Sequence, residues 1–205
     1  WMDEGLNTFM QFMAEQEWDR NYPSRRGPAH KIVPYMKSEK HLLEPIMTNS
    51  ENIIQFGPNA YAKPATALNI LRETVMGRDL FDFAFQEYSR RWMFKHPTPD
   101  DLFRTLEDAS AVDLDWFWRG WFINSWKVDQ AITNVKYVKN DPAQGVLITI
   151  ENLEQMPMPV VIEFKTVSGS VTRHTLPVEI WKRNTSWTFK HDSTEELAKI
   201  TIDPD

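Results

Sequence analysis

Near residue 128 the apolar pattern of the chain changes period, and this limits the available folds more than any other feature. Up to about residue 127, apolar residues recur every three to five positions, as they do on helices buried along one stripe. Beyond Val128 the runs are short and alternate: ITNVKYVKN, GVLITIEN, PVVIEFKTV, SVTRHTLPVEIWK, SWTFKHD and AKITIDPD, separated by Asn, Gly, Pro and Ser. A period of two places successive side chains on opposite faces of a sheet, so one continuous helical fold is excluded. The pattern predicts a multi-domain chain, α then β. An all-helical lobe over 1–127 precedes a small antiparallel β-sandwich over 128–205, with six or seven strands of the immunoglobulin or fibronectin kind.

Within the first part, Leu6, Phe9, Met10, Met13 and Trp18 mark an amphipathic helix over 4–18, with Asp3 placed as its N-cap. A stretch punctuated by Pro23, Pro28, Pro34 and Pro45 reads as an ordered loop with short helical pieces around Tyr35–Leu43. A helix is expected from Pro64 to Val75, burying Ala67, Leu68, Leu71 and Val75, with Pro64 in its first turn and Gly77 past its end. The next runs from Asp79 to Phe94, with Leu80, Phe83, Ala84, Tyr88 and Trp92 on one face. In HPTPDDLFRTLEDAS, Thr98, Pro99 and Asp101 form an acidic capping box. A last helix begins at Asp113, and its Trp116, Phe117, Trp118, Trp121 and Phe122 are expected in the core.

Charge and composition exclude several functions. With 23 Lys and Arg against 29 Asp and Glu, the net charge of −6 leaves no basic face for nucleic acid. The chain has no cysteine, so disulfides, thiolate metal sites and cysteine nucleophiles are ruled out. No apolar run reaches the length of a membrane span. The chain opens on Trp1, already inside an amphipathic pattern, and is read as the later part of a longer protein. None of the five histidines forms an H-x-x-x-H pair, and H-E-x-x-H, G-x-S-x-G and G-x-x-x-x-G-K-[ST] are all missing. No complete active site can be read from these residues.

Three segments carry a resemblance. WMDEGLNTFM resembles the W-L-N-E-G-F-A segment of the gluzincin zinc aminopeptidases, the family of aminopeptidase N and leukotriene hydrolase. AYAKPATALNIL resembles that family's Y-x-K-G-A segment, and TPDDLFRTLEDASAVDLDWFWRGWF resembles its later capped helix and aromatic helix. The likeness covers residues 1–127 in the family's order, and a trailing sandwich also suits that family.

The resemblance implies the helical lobe of a zincin-type catalytic domain. It makes Glu4 the third zinc ligand and Tyr61 the hydroxyl donor to the oxyanion of the tetrahedral intermediate. The two histidines and general-base Glu of H-E-x-x-H, and the G-x-M-E-N segment that binds a free amino terminus, are expected upstream of Trp1. Zn2+ is therefore expected in the full-length protein and not in this fragment, which is expected to be inert. The implied activity is aminopeptidase hydrolysis of peptides with a free N-terminus. An envelope, periplasmic or secreted location is favoured over the cytoplasm.

Asp3 replaces the family's Asn beside the ligand, and Pro64 replaces its Gly, where it is expected to tighten the turn after Tyr61. Lys63 is expected to pack its stem or pair with an acid. Arg25 and Arg26 would either meet a substrate carboxylate or make salt bridges that order the proline-rich loop. His30 and His41 read as plain surface histidines. The competing readings are a catalytically dead relative kept as a binding scaffold, or a helical-plus-sandwich module that binds protein or carbohydrate. Trp181 and Trp187 are the residues on which carbohydrate binding would depend.

Overall fold

The computed structural model describes residues 1–204. Six helices come first, followed by two antiparallel sheets of three strands each. The chain divides into two compact units, Trp1–Ser125 and Trp126–Asp205. No helix among the described residues is long and apolar enough to cross a membrane.

In the first unit, α1 (Met2–Trp18) starts with Trp1 as its N-cap, not Asp3. The Trp1 ring packs on Phe122 and Phe103, with centroids 5.0 and 6.3 Å apart, and this anchors the start of the helix. Asp3 and Glu4 therefore lie in the first turn, where the helix dipole favours acids. The buried stripe of α1 is also rotated from the expected one. Gly5, Thr8 and Phe9 are buried, whereas Met10 is half exposed and Trp18 is almost fully exposed. The reason lies in the crossing helix. A Cβ built on Gly5 would stand 2.6 Å from Pro64 Cγ and 2.8 Å from Pro64 Cβ, so glycine alone admits that ring.

Helix α2 (Ala29–Met36) and a 3-10 turn at Lys40–Leu42 supply the short helical pieces. Continuous right-handed backbone then runs from Gly57 to Val75: a π turn (Gly57–Ala62), helix α3 (Lys63–Ile70) and a second π turn (Leu71–Val75). The helix thus begins before Pro64. Pro64 has no N–H and crowds the carbonyl four residues back, that of Ala60. The preceding turn widens accordingly, and Lys63 N–H reaches Pro58 O, five residues back. Ala67, Leu68 and Leu71 are fully buried, as the sequence pattern requires.

Gly77 follows at φ +81° and leads into α4 (Arg78–Trp92). The buried stripe of α4 is Phe81, Ala84 and Tyr88, while the expected Phe83 is half exposed. Helix α5 (Pro99–Ser110) carries the full capping box: Thr98 N–H donates to Asp101 Oδ2 at 2.8 Å, and Asp101 N–H donates to Thr98 Oγ1 at 3.4 Å. Helix α6 (Asp115–Trp118) continues as a π turn through Ile123. Its Phe117, Trp118, Trp121 and Phe122 are buried, and Trp118 stacks on Phe103 with centroids 4.4 Å apart. Each fully buried large apolar side chain contributes roughly 1.5–3 kcal/mol, so this aromatic cluster is a core and not a ligand cage.

In the second unit, the strands are β1 (Gln130–Tyr137), β2 (Val146–Asn152), β3 (Val160–Thr166), β4 (Val171–Leu176), β5 (Ser186–His191) and β6 (Leu197–Ile202). One sheet has the order β1-β2-β5 and the other β4-β3-β6. Val146, Ile148 and Ile150 from one central strand meet Val160, Ile162 and Phe164 from the other in a single apolar cluster. The expected strand through SVTRHTLPVEIWK ends at Leu176, because Pro177 leads into a 3-10 turn at Val178–Trp181. The last expected run, AKITIDPD, ends on Asp205, which lies outside the described residues.

Candidate functional site

The first turn of α1 and the π turn at Gly57–Ala62 bring Glu4 and Tyr61 together. Glu4 is partly buried, and its carbonyl accepts from Thr8 Oγ1 at 2.6 Å, one turn along the helix. Its carboxylate forms no ion pair among the described residues. The Tyr61 hydroxyl lies against that carboxylate. Glu4 is the main reason the phenol is held above its ordinary pKa, with partial desolvation next and Asp3 adding a little. A phenol raised in this way keeps its proton at neutral pH and remains a donor. The Asp3 carboxylate is exposed.

Two neighbours fix the Tyr61 ring. Phe56 meets it edge-on, with centroids 5.9 Å apart. The Arg26 guanidinium carbon sits 4.5 Å above the ring centroid, within cation–π range, and opposes the upward shift of the phenol. Neither Phe56 nor this stacking was foreseen from the sequence. Arg26 comes from an irregular segment, whose approach to Tyr61 leaves no periodic signal, and Phe56, the N-cap of the π turn, stands five residues before Tyr61, a spacing that only the widened turn brings together.

Arg26 also borders a cleft of about 160 Å3 that runs along α1, lined by Thr8, Gln11, Phe12, Glu15, Arg25 and Arg26. At about 30 Å3 per water, this space has room for a carboxylate group. The salt bridges expected to order the loop do not form: neither arginine is in an ion pair among the described residues. Arg25 is exposed on the rim, and only Arg26 reaches Tyr61.

A partly buried carboxylate with no cationic partner, faced by a neutral phenol, is chemically suited to be one ligand of a zinc ion. One carboxylate cannot hold catalytic zinc, which takes three protein ligands. The three-ligand cluster among the described residues lies elsewhere, at Glu107, Asp113 and Asp115. There Glu107 Oε1 accepts Leu114 N–H at 2.9 Å and Asp113 Oδ1 accepts Asp115 N–H at 3.2 Å, so these acids close the turn between α5 and α6. His30 and His41 are exposed, as expected, and His41 Nδ1 lies 3.3 Å from Glu39.

The aromatic platform needed for carbohydrate is not formed. Trp181 is buried, its indole N–H donating to Met158 O at 2.9 Å. Trp187, which pairs in register with Ile150, is 37% exposed, so of the two indoles only this one faces water. Lys63 is not paired with an acid either. It is 1% exposed, and its ammonium donates to Glu44 O at 3.4 Å.

Residues 1–121 match the peptidase family M1 domain. No curated protein matches the chain. Among solved structures it is similar to the aminopeptidase A of Legionella pneumophila, determined in complex with aspartic acid, with a TM-score of 0.60 and 14% sequence identity. That likeness covers 97% of this chain and 22% of the other, and at such identity it speaks to fold alone. The family match takes in Glu4, Tyr61 and the arginine cleft: the chain belongs to the peptidase M1 family.

Proposed function

We propose that these residues are part of a zinc-dependent aminopeptidase, to which this chain contributes one metal ligand, one oxyanion donor and a carboxylate-binding cleft. The observation that carries the reading is the Tyr61 hydroxyl lying against an unpaired Glu4 carboxylate, inside the segment matched to the peptidase domain. Glu4 serves as the third ligand, and its two partners and the general base come from an H-E-x-x-H segment outside these 205 residues. Zinc bound there supplies Lewis acidity and an activated water.

Tyr61 stays protonated and donates its hydroxyl to the oxygen of the scissile carbonyl as negative charge develops on it. The ring is held by Phe56 and Arg26, so little reorganisation accompanies that donation. Arg25 and Arg26 take a carboxylate of the peptide substrate in the cleft they border. The 205-residue chain alone is inert, because it supplies one ligand where three are needed.

The test compares wild type with Tyr61→Phe in the intact peptidase. Loss of one oxyanion donor lowers kcat by about 10²–10³ while KM is kept. Unchanged kcat in the phenylalanine variant removes Tyr61 from the reaction, and peptide hydrolysis by the isolated 205-residue chain overturns the division of ligands.

A further inference from the structure

Lys63 occupies a costly place for an ammonium group. It is 1% exposed, although a lysine stem of that length ordinarily carries its charge out to water. Among the described residues its three donors have one acceptor, Glu44 O at 3.4 Å. Burial alone accounts for its lowered pKa, about 8, since no carboxylate among the described residues pairs with it. A methionine would fill the same volume without desolvating a charge. Packing therefore does not explain why a lysine stands here.

Its partner is engaged at every polar atom. Glu44 N–H donates to Tyr35 Oη at 3.1 Å. Glu44 O accepts from Lys63 Nζ and from Asn59 Nδ2, each at 3.4 Å. The Glu44 carboxylate accepts Ile54 N–H at 3.1 and 3.0 Å and Gln55 N–H at 3.2 Å. Residue 44 thus ties α2, the segment entering the π turn, the π turn itself and α3 to one point. The ionisable groups that meet there are Lys63, the Glu44 carboxylate and the Tyr35 phenol, which burial raises.

Asn59 and Lys63 stand four residues apart, on one side of the helix. Tyr61 stands midway between them and leaves the helix on the other side, toward Glu4. We propose that Glu44 and Lys63 form a buried polar hub that fixes the turn carrying Tyr61, so that Lys63 is a positioning residue for the oxyanion donor. The inference rests on the reading of Tyr61 given above and adds the device that aims it. Asn59 Nδ2 also donates to Pro45 O at 2.9 Å, which fastens the same turn a second time.

The test reads Tyr61 directly in this chain. With only five tyrosines, ring-labelled protein gives a resolvable NMR spectrum, in which Tyr61→Phe identifies the Tyr61 signal. Lys63→Met is expected to move that signal together with the signal of Tyr35, which accepts Glu44 N–H, and to leave Tyr137, in the other unit, in place. Lys63→Gln retains an N–H donor for Glu44 O and is expected to restore more than half of the shift. An unmoved Tyr61 signal in folded Lys63→Met overturns the proposal, as do equal shifts from Met and Gln.

If Lys63→Met does not fold, the wild-type titration decides. A Tyr61 step near pH 8 that is absent from Lys63→Gln supports the hub, and a response equal in both proteins overturns it. Neither result depends on catalysis. Failure of Tyr61 as the oxyanion donor appears separately, as unchanged kcat in Tyr61→Phe.

Discussion

Replacing Gly5 with alanine sets two well-known effects against each other. In a helix interior, alanine is favoured over glycine by about 1 kcal/mol. Here the added methyl would lie 2.6 Å from Pro64 Cγ, 2.8 Å from Pro64 Cβ and 3.3 Å from Ala60 O. None of these atoms is the end of a flexible side chain: two belong to a fixed ring and one to backbone. Relief requires α1 and the Gly57–Ile70 helix to separate; overpacking costs roughly 1–3 kcal/mol, toward the upper end where, as here, a ring and a backbone carbonyl are the atoms met. The expected net effect is a loss of about 1–2 kcal/mol. For a unit of about this size, that is a fall in Tm of roughly 4–8 °C.

Helical circular dichroism isolates the Trp1–Ser125 unit, since the other unit is built of strands. The decisive comparison is a double-mutant cycle with Pro64→Gly, which removes both ring contacts. In that background Gly5→Ala is expected to be neutral or stabilising, giving a coupling of about 1–3 kcal/mol. If Gly5→Ala raises Tm in the wild-type background, or acts equally in both, the crossing does not constrain Glu4 and Tyr61 as described.

Two further outcomes are expected. Thr98→Ala removes the side-chain half of the α5 capping box and lowers helical stability by about 0.5–2 kcal/mol, measured by urea unfolding. His191 is held below its ordinary pKa, first by burial and then by His174, whose ring centroid is 4.9 Å away, while Asp192 opposes the shift. The unfolded chain therefore takes up this proton first. The stability contributed by neutral His191 is complete above pH ~6.5 and is lost as the pH falls below it. His191→Phe, which keeps the stack on Phe164, is expected to flatten this pH dependence in urea titrations at successive pH values; an unchanged pH dependence refutes the assignment.

The order of helices and strands was legible because each period reflects one buried face. Thr98 and Gly77 were legible because capping and positive φ each demand particular residue types. The buried face of α1 was not. Met10 and Trp18 fit the helical period as well as Phe9 does, and only the crossing at Gly5 and Pro64 decides which side is covered. The widened turn before Tyr61 follows from Pro64, yet whether a proline starts a helix or deforms one depends on what precedes it.

The site was legible in part. Glu4 and Tyr61 stand out through a family pattern, and the structure places them side by side. Arg26 was singled out, but its stacking on Tyr61 depends on how an irregular loop folds back. Lys63 was expected to pack or to find an acid. Its acceptor is a main-chain carbonyl, a group every residue carries, so no side-chain pattern announces it.

The central claim is that Glu4 is a ligand of a catalytic zinc ion in the intact peptidase. It is tested most directly by the zinc content of that protein, measured by elemental analysis in wild type and in Glu4→Ala. About one zinc per chain is expected in wild type, and its loss in the variant, with fold retained by circular dichroism. Zinc held equally well without the Glu4 carboxylate would contradict it.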